Sequence, residues 1–239
     1  AALASWSNTS SLDHLTTLLK TEKDPAIFKT LFSGFIKQLN ASALPAAQKT
    51  LLLRDAFALA QTKEQRNAAL SSLKATNTYL ALVFASKYLQ DAELAGTATD
   101  VVMNIAMDNK EFVGADVRNW LQLANANLSG SESSYLREAI VRHLAEMPNK
   151  EGYVSLFNGK DLTGWKGLVE NPIKRRQMSA SELAVKQIEA DKKMNASWSA
   201  IGGDLVFNGH GDNIATVKEY GHFELIVDWK LDKNGKEPD

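Results

Sequence analysis

The residues best suited to chemistry lie near the C-terminal end of the chain. In the stretch 223–231, Phe223, Leu225, Val227, Trp229 and Leu231 alternate with Glu224, Ile226, Asp228 and Lys230, the period-2 pattern of a half-buried strand. Two carboxylates and an ammonium on one strand face can move protons or balance charge. Glu224 and Asp228 stand roughly 13 Å apart at ~3.3 Å per residue. That is too far for the paired carboxyls of an ordinary glycosidase, which lie about 5–5.5 or 6.5–9.5 Å apart. Asp228 and Lys230, roughly 7 Å apart, can line one site, with Asp228 as acid, base or metal ligand and Lys230 as an electrostatic contact. The plain alternative is a surface ion pair between strands.

Two further candidates lie upstream. His210-Gly211-Asp212-Asn213 is a loop with nitrogen and oxygen donors: His210 and Asn213 can contact a polar ligand, and His210 with Asp212 can hold a divalent metal ion. Turn chemistry alone also explains Gly and Asp-Asn there. Trp165, beside the Thr163-Gly164 turn, is placed to stack on a sugar ring. Trp198 and Trp229 fall on apolar strand faces and read as core.

The elements that must position these residues follow from local signals. Trp198 to Phe207 is split by Gly202-Gly203, a two-residue hairpin loop that pairs Trp198 with Phe207 and Ala200 with Leu205 on one face. A short strand follows at 214–217. Val154, Leu156 and Phe157 read as the opening strand of this β-region, with turns at Asn158-Gly159 and Thr163-Gly164. Residues 171–195 interrupt it: Asn171-Pro172 reads as a turn, and Ser179 and Glu182 stand at capping-box spacing ahead of a polar helix. Lys174-Arg175-Arg176 reads as a solvated face.

Residues 1–148 are helical throughout. Asp24 caps a helix opening at Pro25, in which Phe28, Leu31, Phe32, Phe35, Ile36 and Leu39 form one apolar stripe. Comparable patterns predict helices near 12–19, 46–60, 63–74, 78–89, 92–107, 115–128 and 135–147, with short links. Each stripe is too narrow to be buried alone, which favours a stacked array of helical hairpins over a bundle. This half resembles a HEAT-like helical repeat region of the kind found in multidomain extracytoplasmic proteins. Such an array scaffolds or presents a surface to a protein partner. Pro148 ends it, and the domains predicted are 1–148 and 149–239.

The totals set limits. A chain of 239 residues is long enough for two cores. At 44% hydrophobic and 23% charged it is ordinary for a soluble globular protein. A net charge of −1, spread over both halves, gives no one-sided field for nucleic acid. No apolar run approaches the ~18 residues of a membrane span. With no cysteine, disulfides, thiolate metal sites and cysteine nucleophiles are excluded.

Three stretches, SLFNGKDLTGWKG, then W-x-x-x-G-G-x-L-V-F-N-G, then TVKEYGHFELIVDWKL, resemble the first half of the 3-keto-disaccharide hydrolase family. The resemblance covers about 151–237, and 171–195 looks like an insertion within it. It implies a concanavalin-like jelly roll, a carbohydrate substrate, and cleavage of glycosidic bonds in sugars oxidised to a ketone at C3. A C3 ketone acidifies the C2 proton, so the anomeric substituent can leave by elimination and water then adds back. That route needs a base near C2, an electrophile at the ketone oxygen and an acid at the leaving oxygen. The site residues expected are Asp228, Lys230 and Glu224 for catalysis, with Trp165, His210 and Asn213 for substrate. A periplasmic or secreted location is also expected. The family's later strands, arginine-bearing and acidic ones included, have no counterpart here. The expectation is a fragment of a longer protein, or one completed by a second polypeptide, with an incomplete catalytic set. The second reading is a non-catalytic glycan-binding module carried on a helical scaffold.

Overall fold

The computed structural model describes residues 2–5, 10–130 and 133–231; the polar run 233–239 lies outside them. The chain divides into two units, Ala1–Val154 and Ser155–Asp239. The division falls beyond the Pro148 break because Tyr153 stacks on Tyr79 of the helical unit, rings 3.9 Å apart and 19° from parallel.

The first unit comprises α1 (Ala2–Ser5), α2 (Leu12–Thr21), α3 (Pro25–Ala41), α4 (Ala46–Leu59), α5 (Lys63–Ser72), α6 (Tyr79–Ser86), α7 (Ala95–Asp108), α8 (Ala115–Asn127) and α9 (Ser134–Glu146). Their starts carry chemical marks. Asp24 accepts the amides of Ala26 and Ile27 at the head of α3, Thr62 and Gln65 form a reciprocal capping box on α5, and Thr78 caps α6. These satisfy orphan amides that would otherwise oppose burying a helix end. The stripe on α3 is inside, with Phe28, Leu31, Phe32, Phe35 and Leu39 buried and Ile36 packed against them. Beyond pairing with its chain neighbours, α3 packs on α5, α5 on α7 and α7 on α9, while α4 packs on α6. Alternate helices therefore form rows, and one continuous core runs from Leu12 to Met147.

The second unit holds β1 (Trp165–Gly167), α10 (Pro172–Gln177), α11 (Ala180–Ser197), β2 (Trp198–Ile201), β3 (Asp204–Phe207) and β4 (Ile214–Thr216). The hairpin forms in the expected register, Trp198 opposite Phe207 and Ala200 opposite Leu205, with the two rings 4.8 Å apart. Gly202 and Gly203 take φ of 61° and 89°, the twist that a two-residue loop needs to follow its strands. β1 pairs antiparallel with β4, Trp165 opposite Thr216 and Gly167 opposite Ile214. The helix α11 opens on the Ser179–Glu182 capping box.

Three local expectations are corrected. Val154, Leu156 and Phe157 form no strand; the segment enters turns closed by Asn158, whose Oδ1 accepts the amides of Lys160 and Asp161, and Trp165 opens the first ladder instead. Asn171-Pro172 is a helix start: Asn171 accepts the Lys174 amide and caps α10, since Pro at the first helical position forfeits no bond. The stretch 223–231 lies in no ladder and is exposed along its whole length. Alternation encodes sidedness, but a strand also needs a neighbour to take its backbone hydrogen bonds, and no described segment takes that place. Among the described residues the β-pairing amounts to the two ladders above. No helix there is long and apolar enough to cross a membrane.

Candidate functional site

The second unit carries a cleft of about 350 Å³ built by three elements. The chain leaving β1 supplies Leu168, Val169 and Glu170; one face of α11 supplies Lys186, Glu189, Ala190 and Lys193; the loop before β4 supplies Asp212 and Asn213. The floor is held by backbone bonding. The Leu168 amide donates to the Asn213 carbonyl at 2.9 Å, continuing the β1–β4 ladder by one rung. On the other edge of β1, the Gly167 amide donates to Asp191 Oδ1 at 2.9 Å and Gln187 Nε2 donates to the Gly167 carbonyl at 2.9 Å. A Cβ at 167 would run into the Ala190 carbonyl, so any other residue would force the helix and strand apart.

The walls are lined by charge pairs. Glu170 accepts from Lys174 at 3.0 Å and from Lys186 at 3.1 Å. These two hydrogen bonds hold its carboxyl below the usual carboxylate range. Lys193 meets Asp212 at 2.9 Å, and that carboxylate raises the ammonium above its ordinary value. The Asp212 carbonyl also accepts the Trp198 indole N–H at 3.2 Å. All of these side chains are about a third exposed or more, so solvent screens each pair and each contributes little stability. Weak, wet pairs of ammonium and carboxylate can exchange one partner for a hydroxyl or carbonyl oxygen at small cost, which suits a polar ligand.

Of the residues singled out from the sequence, Asp212 and Asn213 line this cleft. His210 does not; its amide donates to Asn208 Oδ1 at 2.9 Å within an exposed turn. The described residues contain no group of three His, Cys, Asp or Glu side chains able to hold a metal, and Asp212 already faces an ammonium. The geometry therefore gives a metal at His210 and Asp212 no support. Trp165 is half-buried in β1, its indole nitrogen enclosed without a hydrogen-bond partner among the described residues. Glu224, Asp228 and Lys230 are exposed in the stretch 223–231 and lie outside the cleft lining.

Sequence reasoning missed Glu170, Lys186, Glu189 and Lys193. The signal was present: 186, 189, 190 and 193 fall at i, i+3, i+4 and i+7, one helix face. The sequence marks this stretch only as a polar helix, so nothing in it sets that face apart.

With this geometry in view, the comparisons say what part of the chain is similar to. Residues 152–237 match the family model of the 3-keto-alpha-glucoside-1,2-lyase-like domain. The chain is similar to a 3-keto-disaccharide hydrolase of the bacterium Bacteroides thetaiotaomicron, 27% identical over 105 residues, which cover 44% of this chain and 32% of that protein. The chain thus spans about a third of the length of the curated relative it matches. No solved structure matches the chain.

Proposed function

We propose that the unit Ser155–Asp239 is the first part of a carbohydrate-cleaving domain acting on 3-keto-glycosides, and that Ala1–Val154 is a HEAT-like array that presents it or docks a protein partner. The observation that carries this reading is the family match over 152–237, which spans the cleft and the stretch 223–231 together. In the complete domain that stretch serves as a strand of a concanavalin-like jelly roll, apolar face inward. Asp228 faces the sugar and takes the C2 proton, and Lys230 balances the charge that grows on the ketone oxygen as that proton leaves; the same electron pair then returns to expel the anomeric substituent, whose oxygen takes a proton from an acid or from water. Glu224 is the second carboxylate of that face. The polar cleft beside β1, near the lower end of the size range of ligand sites, binds sugar hydroxyls through Lys186, Lys193 and Asn213. The setting proposed is extracytoplasmic.

The test is turnover of a 3-keto-glucoside by the complete protein. Asp228→Ala lowers kcat by about two orders of magnitude or more if this carboxylate is the base. Equal rates for the variant and the parent remove it from the mechanism. Tight binding of an unmodified oligosaccharide with no product instead selects the glycan-binding alternative.

A further inference from the structure

Among the described residues two non-glycines take a positive φ, Asn77 at 49° and Glu170 at 45°. Asparagine is a usual occupant of that region and glutamate is not, because its Cβ crowds the following carbonyl. The kink at Glu170 is held by a neighbour: Arg175 Nη1 donates to the carbonyls of Val169 and Glu170. Glycine would sit there without strain. The two ion pairs of the glutamate are wet and offset little of that strain. What the side chain adds is a carboxylate on the wall of the cleft beside β1.

The unused bonding capacity of that cleft says what it receives. An ionised carboxylate has about four lone-pair sites. Glu170 commits Oε2 to Lys174 and Oε1 to Lys186, which leaves an open acceptor site on each oxygen. Asp212 meets Lys193 through Oδ2, so its Oδ1 is open too. The lining sets Glu170, Glu189 and Asp212 against Lys186 and Lys193. It is rich in acceptors and net negative, which favours a neutral donor over an anion.

Adjacent hydroxyls of a pyranose ring are such a donor, one proton for each oxygen of Glu170. A glucoside carries hydroxyls on C2, C3 and C4. Its 3-keto counterpart keeps those on C2 and C4, which are not adjacent. A ketone oxygen accepts and cannot donate, so it finds no partner in a carboxylate.

We propose that the cleft is a subsite for an unoxidised sugar ring, with Glu170 as the residue that selects it by accepting two adjacent hydroxyls. In a 3-keto-disaccharide the cleft takes the ring that keeps all its hydroxyls and leaves the keto ring to the chemistry assigned to Asp228. Glu170 is a specificity residue and takes no part in proton transfer. The assignment rests on the carbohydrate function proposed above and adds which ring is held here.

Titration of the full chain with methyl α-glucopyranoside, followed by NMR at the Leu168 and Asn213 amides, tests it. The expected result is a saturable shift at both. The 3-deoxy and 3-keto analogues, which have no adjacent hydroxyl pair, bind about tenfold more weakly or worse, the loss expected when charge-assisted hydrogen bonds go unmade. Glu170→Gly weakens binding of the parent glucoside by about tenfold or more, while its thermal midpoint equals or exceeds that of the parent chain. Glu170→Gln keeps the strained backbone and one acceptor oxygen in place of two; it binds about tenfold more weakly with no gain in midpoint. An absent shift, analogues that bind like the parent glucoside, or a Glu170→Gly variant that binds like the parent or melts below it would each overturn the proposal. Turnover of a 3-keto-glucoside by the complete protein without cleft binding defeats this subsite alone, and cleft binding without turnover defeats the chemistry alone.

Discussion

Asp191 and Gly167 are joined by a side chain-to-backbone hydrogen bond of 2.9 Å that ties a helix to the free edge of a strand. Gln187, one turn earlier on the same helix, takes the carbonyl of Gly167 and also donates to Asp191 at 2.8 Å. A helix that reads as an insertion is therefore the cover for one edge of β1, and its side chains replace the ladder that a further strand would supply.

That arrangement predicts the effect of cutting it. Asp191→Ala leaves the Gly167 amide without its acceptor beneath the helix and destabilises the Ser155–Asp239 unit by about 1–3 kcal/mol. Asp191→Asn keeps an acceptor oxygen and costs less. Urea unfolding followed by Trp165 and Trp198 fluorescence measures both, and faster hydrogen exchange at the Gly167 amide reports the local cause.

The hairpin loop makes a sharper distinction between its two glycines. Gly203 has φ of 89°, where a β-branched residue is strained, so Gly203→Val costs about 1–2 kcal/mol. Gly202→Asn creates the Asn-Gly pair that this turn favours and leaves stability equal or slightly higher. Thermal melts that ranked the two variants the other way would show that the loop takes a different turn.

Asp161 provides a pH marker. Its Oδ1 accepts from Asn158 Nδ2 at 2.8 Å and from the Thr163 amide at 2.9 Å. These bonds, that of Asn158 foremost, hold its carboxyl down at about 2, against an ordinary 3.8. A depressed acid stabilises the fold above its unfolded pKa, and that contribution fades as pH falls through 3.8 toward 2. NMR titration of Asp161 is expected to show the low midpoint, and Asn158→Ala to move it back toward the ordinary value. An unchanged midpoint would assign the shift to Thr163 alone.

Local signals carried much of the organisation of this protein. The Asp24 cap, the Thr62 and Ser179 capping boxes and the stripe through Phe28 and Phe35 lie within a few residues of what they control, so they are legible in order along the chain. The same holds for Gly202-Gly203, because a turn sets the register of the strands it joins. The cleft was only half legible. Asp212 and Asn213 stood out as loop donors, but Lys186 and Lys193 became a wall only when α11 lay along β1.

What the chain's own residues determined, then, is where helices begin, which face of each is apolar, and how one hairpin pairs. Tertiary structure alone decided that Trp165 rather than Val154 opens the first ladder, that α11 covers the Gly167 edge, and that 223–231 takes no strand partner within the described residues. The reason is physical: caps, turns and periodicity satisfy backbone groups locally. A strand edge is satisfied by whichever segment folding brings beside it, and no spacing along the sequence encodes that choice.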